Sequence, residues 1–482
     1  MRTAYDVETI RAAERALMAR LPDGALMQRA AAGLAAACAD LTGKVYGKRI
    51  ALLIGAGNNG GDALYAGARL ARRGAGVTAL TLSPERTHAG GLAALRGAGG
   101  TVLDAESEAA ETAVARADLV VDGIVGIGGK GGLRPRAARL ASLAAESRAL
   151  TVAVDLPSGV DADTGEVHGD AVRADVTVTF GAYKPGLLID PAHAYAGALR
   201  LVDIGLGLPV HPAASTALQH DDVAALLPRP TGESDKYQRG VVGVVAGSAR
   251  YPGAAVLATA GALHGGAGAI RYVGPAADAV LSRFPETLVS AGPPSKAGRV
   301  QSWVIGPGLG DDTANLSDVL ASDVPVLIDA DGLRLADVEA VRARTAPTVL
   351  TPHAGEAAAL MGCDRQRVER ERLASVRELA ARYRATVLLK GSTTLIASPD
   401  GDGAPVRVNP TGTPWLATAG SGDVLSGLTG SLLAAGLAPV DAASTGAYLH
   451  GLAARRMARG APVSAQDVAS AVRLVWRDVV GG

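Results

Sequence analysis

Arg49-Ile-Ala-Leu-Leu-Ile54 runs directly into Gly55-Ala-Gly-Asn-Asn-Gly-Gly-Asp62, and an apolar stretch of helical period follows. An apolar run, a glycine turn and a helix start in that order make a strand-to-helix corner. Free backbone amides and the helix dipole converge there on an anion. A glycine-rich turn alone reads equally well as a tight turn, but two adjacent Asn and a following Asp add oxygens that can coordinate a cation.

The same alternation continues outward from this corner. Val77 to Leu82, Leu119 to Asp122, Thr151 to Asp155 and Asp175 to Phe180 are further short apolar runs between helical stretches, which predicts an α/β fold with a parallel, doubly wound sheet. After Pro209 the pattern restarts, with strands expected at Gly240 to Ala246, Ser302 to Ile305, Val324 to Asp329, Thr348 to Leu350 and Thr386 to Lys390. Between the two series, Pro209, Pro212, Pro228, Pro230 and a polar Gly232-Glu-Ser-Asp-Lys236 run have the composition of a linker. The boundary is placed near residue 211, giving domains 1–211 and 212–482.

Composition agrees with two cores in a small-molecule enzyme. The 482 residues are 48% hydrophobic, and 47 Lys plus Arg balance 47 Asp plus Glu, so no basic field is available to hold DNA or RNA. Cys38 and Cys363 stand far apart with no second Cys or His at metal-ligand spacing, which excludes a disulfide framework and a zinc site from the expectations. The first residues, Met1-Arg-Thr-Ala-Tyr-Asp-Val-Glu8, carry charges where a signal peptide needs an apolar run. Because no apolar run approaches the roughly 20 residues of a membrane span, a cytoplasmic protein without a membrane partner is expected. Homo-oligomerisation is left open by the sequence.

Two more strands of the first half end in carboxylates. Val120-Val-Asp122 leads into Gly126-Ile-Gly-Gly-Lys-Gly-Gly132, and Val152-Ala-Val-Asp155 into Leu156-Pro-Ser-Gly-Val-Asp161. Ligands of open parallel sheets bind beyond the carboxyl ends of the strands. One strand-end Asp caps a helix more often than it catalyses, but three polar strand ends in one unit point to a site. Lys184, in Phe180-Gly-Ala-Tyr-Lys-Pro-Gly186, follows a strand and has two readings, a lysine facing the crevice or a solvated turn lysine, the second favoured; His168 and His193 read as surface residues.

Residues 1–208 resemble the YjeF N-terminal family, the NAD(P)H-hydrate epimerases, through Asn58-Asn-Gly-Gly-Asp62, Val121-Asp122 with its glycine loop, and Asp155-Leu-Pro-Ser158-Gly-Val-Asp161. The resemblance implies a potassium ion held by Asn59, Asp122 and Ser158. It also implies a hydrate gripped by Asn58, Asn59, Gly60, Gly61 and Asp62, by Gly126, Ile127, Gly128, Gly129, Lys130, Gly131 and Gly132, and by Asp155. Ala63 stands where the family usually has Gly, and Ile127 where a small hydroxyl residue is common. Asp155 is the candidate proton shuttle for expulsion and return of the substrate hydroxyl.

In the second half, Ala419-Gly-Ser-Gly-Asp423 opens a long apolar helix, so the amides of Gly420 to Gly422 can form an anion hole with Asp423 beside it. Thr351-Pro-His353-Ala-Gly-Glu356 and Lys390-Gly-Ser-Thr-Thr394 each follow a strand and should share one crevice rim. Lys390 with the hydroxyls suits a polyphosphate, and Glu356 a water-bound magnesium. Together with Tyr251-Pro-Gly-Ala-Ala255 and Gly306-Pro-Gly-Leu-Gly310, these motifs resemble the ribokinase-like ADP- or ATP-dependent NAD(P)H-hydrate dehydratases over residues 212–482. That resemblance implies hydrate contacts at Ala255, Gly308, His353 and Asp423, and nucleotide contacts at Lys390, Gly391, Ser392, Thr393, Thr394 and Gly422. The implied cofactors are K+ in the first domain and Mg2+ with ADP or ATP in the second, ADP being favoured. The implied substrates are the NADH and NADPH hydrates. The competing reading is a vitamin or sugar kinase with an N-terminal regulatory or scaffold domain.

Overall fold

A computed structural model describes residues 1–209, 213–399 and 403–481. The chain divides into two compact units, Thr3–Ala214 and Ser215–Gly482, with Met1 and Arg2 grouped with the second. The expected boundary near residue 211 falls on residues 210–212, which lie outside the described residues.

Among the described residues the first unit is built on a seven-stranded sheet. Its order is Thr101–Asp104, Gly76–Thr81, Arg49–Ile54, Leu119–Gly123, Leu150–Val154, Val176–Phe180 and Ala198–Val202. Every neighbouring pair is parallel. The two-residue period of a strand explains the layers. Ile50, Leu52 and Ile54 enter a core with helices Ala25–Thr42 and Asn58–Arg72, while Ala51 and Leu53 enter another with Glu108–Ala115 and Pro135–Glu146. Successive strands run outward in both directions from Arg49–Ile54, so the order reverses between it and Leu119–Gly123, and there the loops following both strands meet. A Cβ on Gly55 would stand 1.8 Å from the Ile124 carbonyl oxygen, so this crossing admits only glycine.

The second unit is built on a mixed sheet. From Leu288–Ser290 through Ala269–Val273, Val241–Val245, Ser302–Ile305, Val326–Ile328 and Thr348–Leu350 to Thr386–Leu389 it is parallel. Thr394–Ala397 and Val406–Asn409 then continue it antiparallel, followed by Ser215–Ala217. The change of direction has a local cause: the short Lys390–Thr393 connection can close a hairpin but cannot make a parallel crossover. Helix Ser421–Ala434 packs between the parallel strands and helix Pro252–His264. Gly427 faces the Ala258 carbonyl there, at 1.9 Å from a hypothetical Cβ.

Candidate active sites

In the first unit, Asp122 is fully buried in strand Leu119–Gly123. Its Oδ1 accepts from the Ser158 hydroxyl at 2.7 Å and the Ile124 amide at 3.2 Å, and its Oδ2 from the Ser158 amide at 2.8 Å. Burial raises its carboxyl to about 6, against the pull of these bonds. A Cβ on Gly126 would stand 3.0 Å from the Asn59 Oδ1, so the loop that follows Asp122 brings the Asn59 oxygen close. The buried Asn59 Nδ2 has no hydrogen-bond partner. Among the described residues Asp122 has no cationic partner, and its carboxylate with the Ser158 hydroxyl and the Asn59 amide oxygen is a donor set of the kind a hard cation takes.

Asp155 follows strand Leu150–Val154 in a left-handed backbone conformation, φ 69°. This costs about 1–3 kcal/mol for a non-glycine residue and persists where the surroundings impose it. Lys184 corrects the expectation of a solvated turn lysine. It is 1% exposed, and its ammonium pairs with Asp155 Oδ1 and donates to Thr179 Oγ1 at 2.9 Å and the Phe180 carbonyl at 3.2 Å. The Thr179 hydroxyl and Phe180 amide also reach Oδ1, at 3.2 and 3.3 Å, so Oδ2 is left for a ligand. Burial, then the charges of Asp155 and Glu14, holds the Asp62 carboxyl well above the usual range, and burial with Asp155 raises Glu14. Asp155 therefore sits among one ammonium and two carboxyls inclined to stay protonated.

The other expected residues divide. Gly128, Gly129, Lys130, Gly131 and Gly132 line a groove of about 770 Å3 with Gly55, Ala56 and Gly159. Asn58 to Asp62, Gly126, Ile127 and Asp155 are not among its lining residues. Asn58 to Asp62 form the first turns of helix Asn58–Arg72, with Gly60 and Gly61 buried against protein. Ile127 is partly buried against apolar side chains. Lys130 pairs with Asp161 at 3.1 Å.

In the second unit the sheet order reverses between Val241–Val245 and Ser302–Ile305. Gly308, φ 60°, lies in the loop that follows the latter strand, against Tyr251 and Ala254. Ala255 is fully buried with its methyl group against Gly247, so its side chain is closed off from a ligand. Gly420, in a left-handed conformation, starts helix Ser421–Ala434, and Asp423 is in the first turn. Burial, and then the charge of Asp329, lifts the Asp423 carboxyl to about 7 although Lys390 pulls it down. Lys390 donates to Asp329 Oδ1 at 2.7 Å and stands 3.7 Å from Glu356. A Cβ on Gly422 would lie 3.4 Å from that ammonium, which places the helix start beside it. The Ser426 hydroxyl donates to Asp329 Oδ2 at 2.7 Å.

His353 caps helix Ala354–Met361: its Nδ1 accepts from the amides of Gly355 and Glu356, and Glu356 returns the bond to the His353 amide at 2.7 Å. One ring nitrogen and one Glu356 oxygen are thus spent on the helix start. Gly391 and Ser392 are exposed, whereas Thr393 and Thr394 are buried. Arg372, 6% exposed, holds this connection by donating to the Thr393 carbonyl at 2.9 Å and the Lys390 carbonyl at 3.2 Å.

Sequence reasoning does not single out Glu14, Asp329 or Arg372. Asp329 closes an apolar run just as Asp122 and Asp155 do, so the strand-end signal could have found it. Glu14 and Arg372 stand within helices, away from any strand end or glycine turn, and so carry no such signal. Among the described residues, no helix is long and apolar enough to cross a membrane.

Residues 23–186 match the family model of the YjeF-related protein N-terminus, and residues 242–473 that of NAD(P)H-hydrate dehydratase. The chain is 49% identical to the bifunctional NAD(P)H-hydrate repair enzyme Nnr of Mycobacterium leprae, over 97% of this chain and 95% of that one. It is 48% identical to the enzyme of the same name from Mycobacterium tuberculosis, over 92% of both. In structure, 57% of the chain overlays on 99% of a ribokinase-like superfamily protein from Enterococcus faecalis, at TM-score 0.50 and 23% identity, a likeness of fold. With relatives this similar over nearly its whole length, the chain belongs to the family of bifunctional NAD(P)H-hydrate repair enzymes.

Proposed function

We propose that the first unit interconverts the R and S hydrates of NADH and NADPH, and that the second uses ADP or ATP to dehydrate the S form back to the reduced cofactor. The observation that carries this reading is common to both units. Each sets one carboxylate, Asp155 or Asp423, near a lysine at the ligand-binding end of its sheet, Lys184 buried and Lys390 partly buried.

In the hydrate a hydroxyl sits on a carbon beside the ring nitrogen, whose lone pair can expel it to leave an iminium that water re-attacks. Asp155, through its free oxygen, gives the departing hydroxyl a proton and takes one back from the entering water. Lys184 fixes that carboxyl and balances its charge. Asn59, Asp122 and Ser158 would hold a potassium ion, which would supply a fixed positive charge beside the substrate. The glycine loop Gly128 to Gly132 takes the rest of the dinucleotide.

In the second unit, hydroxide is a poor leaving group and phosphate a good one. Asp423 accepts the hydroxyl proton as the terminal phosphoryl group moves from the nucleotide to the substrate oxygen, and the ring nitrogen then expels phosphate. The Gly420 to Gly422 amides face the developing charge. Lys390 and Gly391 to Thr394 hold the nucleotide, with Glu356 positioned for water-bound magnesium, which would neutralise phosphate charge. Incubation with mixed hydrate epimers and each nucleotide in turn tests the scheme. Recovery of reduced nicotinamide absorbance with free phosphate is expected, and a stable phosphorylated product would replace the reading by a kinase.

A further inference from the structure

We infer that Arg86, with Ser83, forms a subsite for a phosphate monoester on the adenosine ribose, so that the first unit favours the NADPH hydrate over the NADH hydrate. This rests on the epimerase reading above.

Strand Gly76–Thr81 lies beside Arg49–Ile54 on the side away from the switch point. In doubly wound nucleotide folds a carboxylate near the end of this strand accepts from the ribose hydroxyls, and an Arg there accommodates a 2′-phosphate instead. Here the strand ends Thr81-Leu-Ser83, with no carboxylate. Leu82, Ser83 and Arg86 line the 770 Å3 groove, and Glu85 is not among its lining residues. Arg86 Nη2 donates to Ser83 Oγ at 3.0 Å, which folds the guanidinium back over the strand end. Its other partner, Glu85 at 3.5 Å, is 70% exposed and Arg86 is 60% exposed, so that pair holds the side chain only loosely.

The rest of the lining has the same sign. Lys130, Arg134 and Arg136 also border the groove, and no Asp or Glu does. Lys130 and Arg136 are paired with Asp161 and Glu106, whereas Arg134 has no side-chain partner among the described residues. A groove with cations and no carboxylates suits a ligand carrying more phosphate than a pyrophosphate alone. Its volume lies in the range of about 300–1,000 Å3 usual for small-molecule sites. Gly55 and Ala56, at the strand-to-helix turn where a pyrophosphate meets the helix start in such folds, also border the groove, which leaves Arg86 for the ribose end.

The test is calorimetry on the full-length protein with adenosine 2′,5′-bisphosphate and with 5′-AMP, on wild type and Arg86→Ala. Nucleotide bound by the second unit contributes equally to both proteins, so their difference belongs to the first. The bisphosphate should bind wild type about tenfold more tightly than 5′-AMP, the worth of a charged hydrogen-bonded contact, and Arg86→Ala should erase that advantage. Arg86→Lys, which keeps charge but not the fork, should retain part of it. No advantage in wild type, or one that survives Arg86→Ala, overturns the subsite whether or not the chain epimerises hydrates. In turnover, the ratio of kcat/KM for the NADPH hydrate to that for the NADH hydrate should fall about tenfold, through KM. An equal loss for both hydrates would refute discrimination by Arg86.

Discussion

Both units bring a lysine to a carboxylate cluster, Lys184 buried and Lys390 partly buried, yet the lysines choose differently. Lys184 is bonded to Asp155 itself, whereas Lys390 is drawn to Asp329 and acts on Asp423 only through space. Asp423 therefore keeps the upward shift that burial and Asp329 impose, and titrates at about 7. Because Lys390 is bonded to Asp329, its pull on Asp423 is the weaker influence there, behind burial and the charge of Asp329. That suits their proposed tasks: Asp423 must accept a proton once, whereas Asp155 must give one and take it back.

The largest effect expected from breaking this arrangement is at Asp423. Asp423→Asn keeps the shape but cannot accept a proton, so nucleotide-dependent dehydration should slow by about 10²–10⁴-fold. Epimer exchange, followed by separating the R and S forms, should be untouched. Loss of both activities in a well-folded variant would break the division of labour. The same variant should be more stable. A carboxyl raised to about 7 binds a proton more tightly folded than unfolded, so its ionisation costs stability as pH rises from about 4 to 7. Removing that cost should raise Tm at neutral pH by about 2–6 °C.

Next in size is the direct pair. Lys184→Met leaves the Asp155 carboxyl without its cation and should abolish epimer exchange, at a stability cost of about 3–5 kcal/mol by denaturant titration. Asp155→Asn should also stop exchange, at a comparable stability cost, because it leaves the Lys184 ammonium buried without its carboxylate. The nucleotide reaction would then consume the S hydrate quickly and continue only at the spontaneous rate of epimerisation. If both variants kept exchange at the wild-type rate, the proton shuttle would lie elsewhere, with Asp62 and Glu14 the nearest candidates.

Asp122→Ala removes the sole formal charge among the proposed cation ligands. Epimerase rates measured in potassium and then in sodium should differ in wild type and converge at a low value in the variant. Equal wild-type rates in the two salts would count against the cation site. The smallest effect sharpens the comparison most. Asp329→Asn removes the charge that pushes Asp423 upward and frees Lys390 to approach it, so the acidic limb of the dehydration pH profile should move below 7. A limb that stays in place would mean that Asp329 does not tune Asp423.

Strands Arg49–Ile54, Ser302–Ile305 and Thr348–Leu350 have the bounds read from their apolar runs. Less apolar or shorter runs, such as Thr101–Asp104, Leu288–Ser290 and Ala198–Val202, were passed over, because their place in a sheet depends on neighbours rather than on their own pattern. The antiparallel turn after Lys390 was likewise hidden, since Thr394–Ala397 reads the same in either direction.

What the sequence by itself determined was where the carboxylates stand. Asp122 and Asp155 close apolar runs and Asp423 opens a helix after a glycine turn, and local hydrophobic pattern and turn chemistry suffice to put such residues at the ligand-binding ends of parallel sheets. What only the tertiary structure decided was which partner each carboxylate has. Lys184 reaches Asp155 across 29 residues and Lys390 reaches Asp329 across 61. Burial and ion pairing are properties of loops that meet in space, and no local pattern carries them, so a lysine read as a solvated turn residue is instead buried and bonded to the proposed proton shuttle.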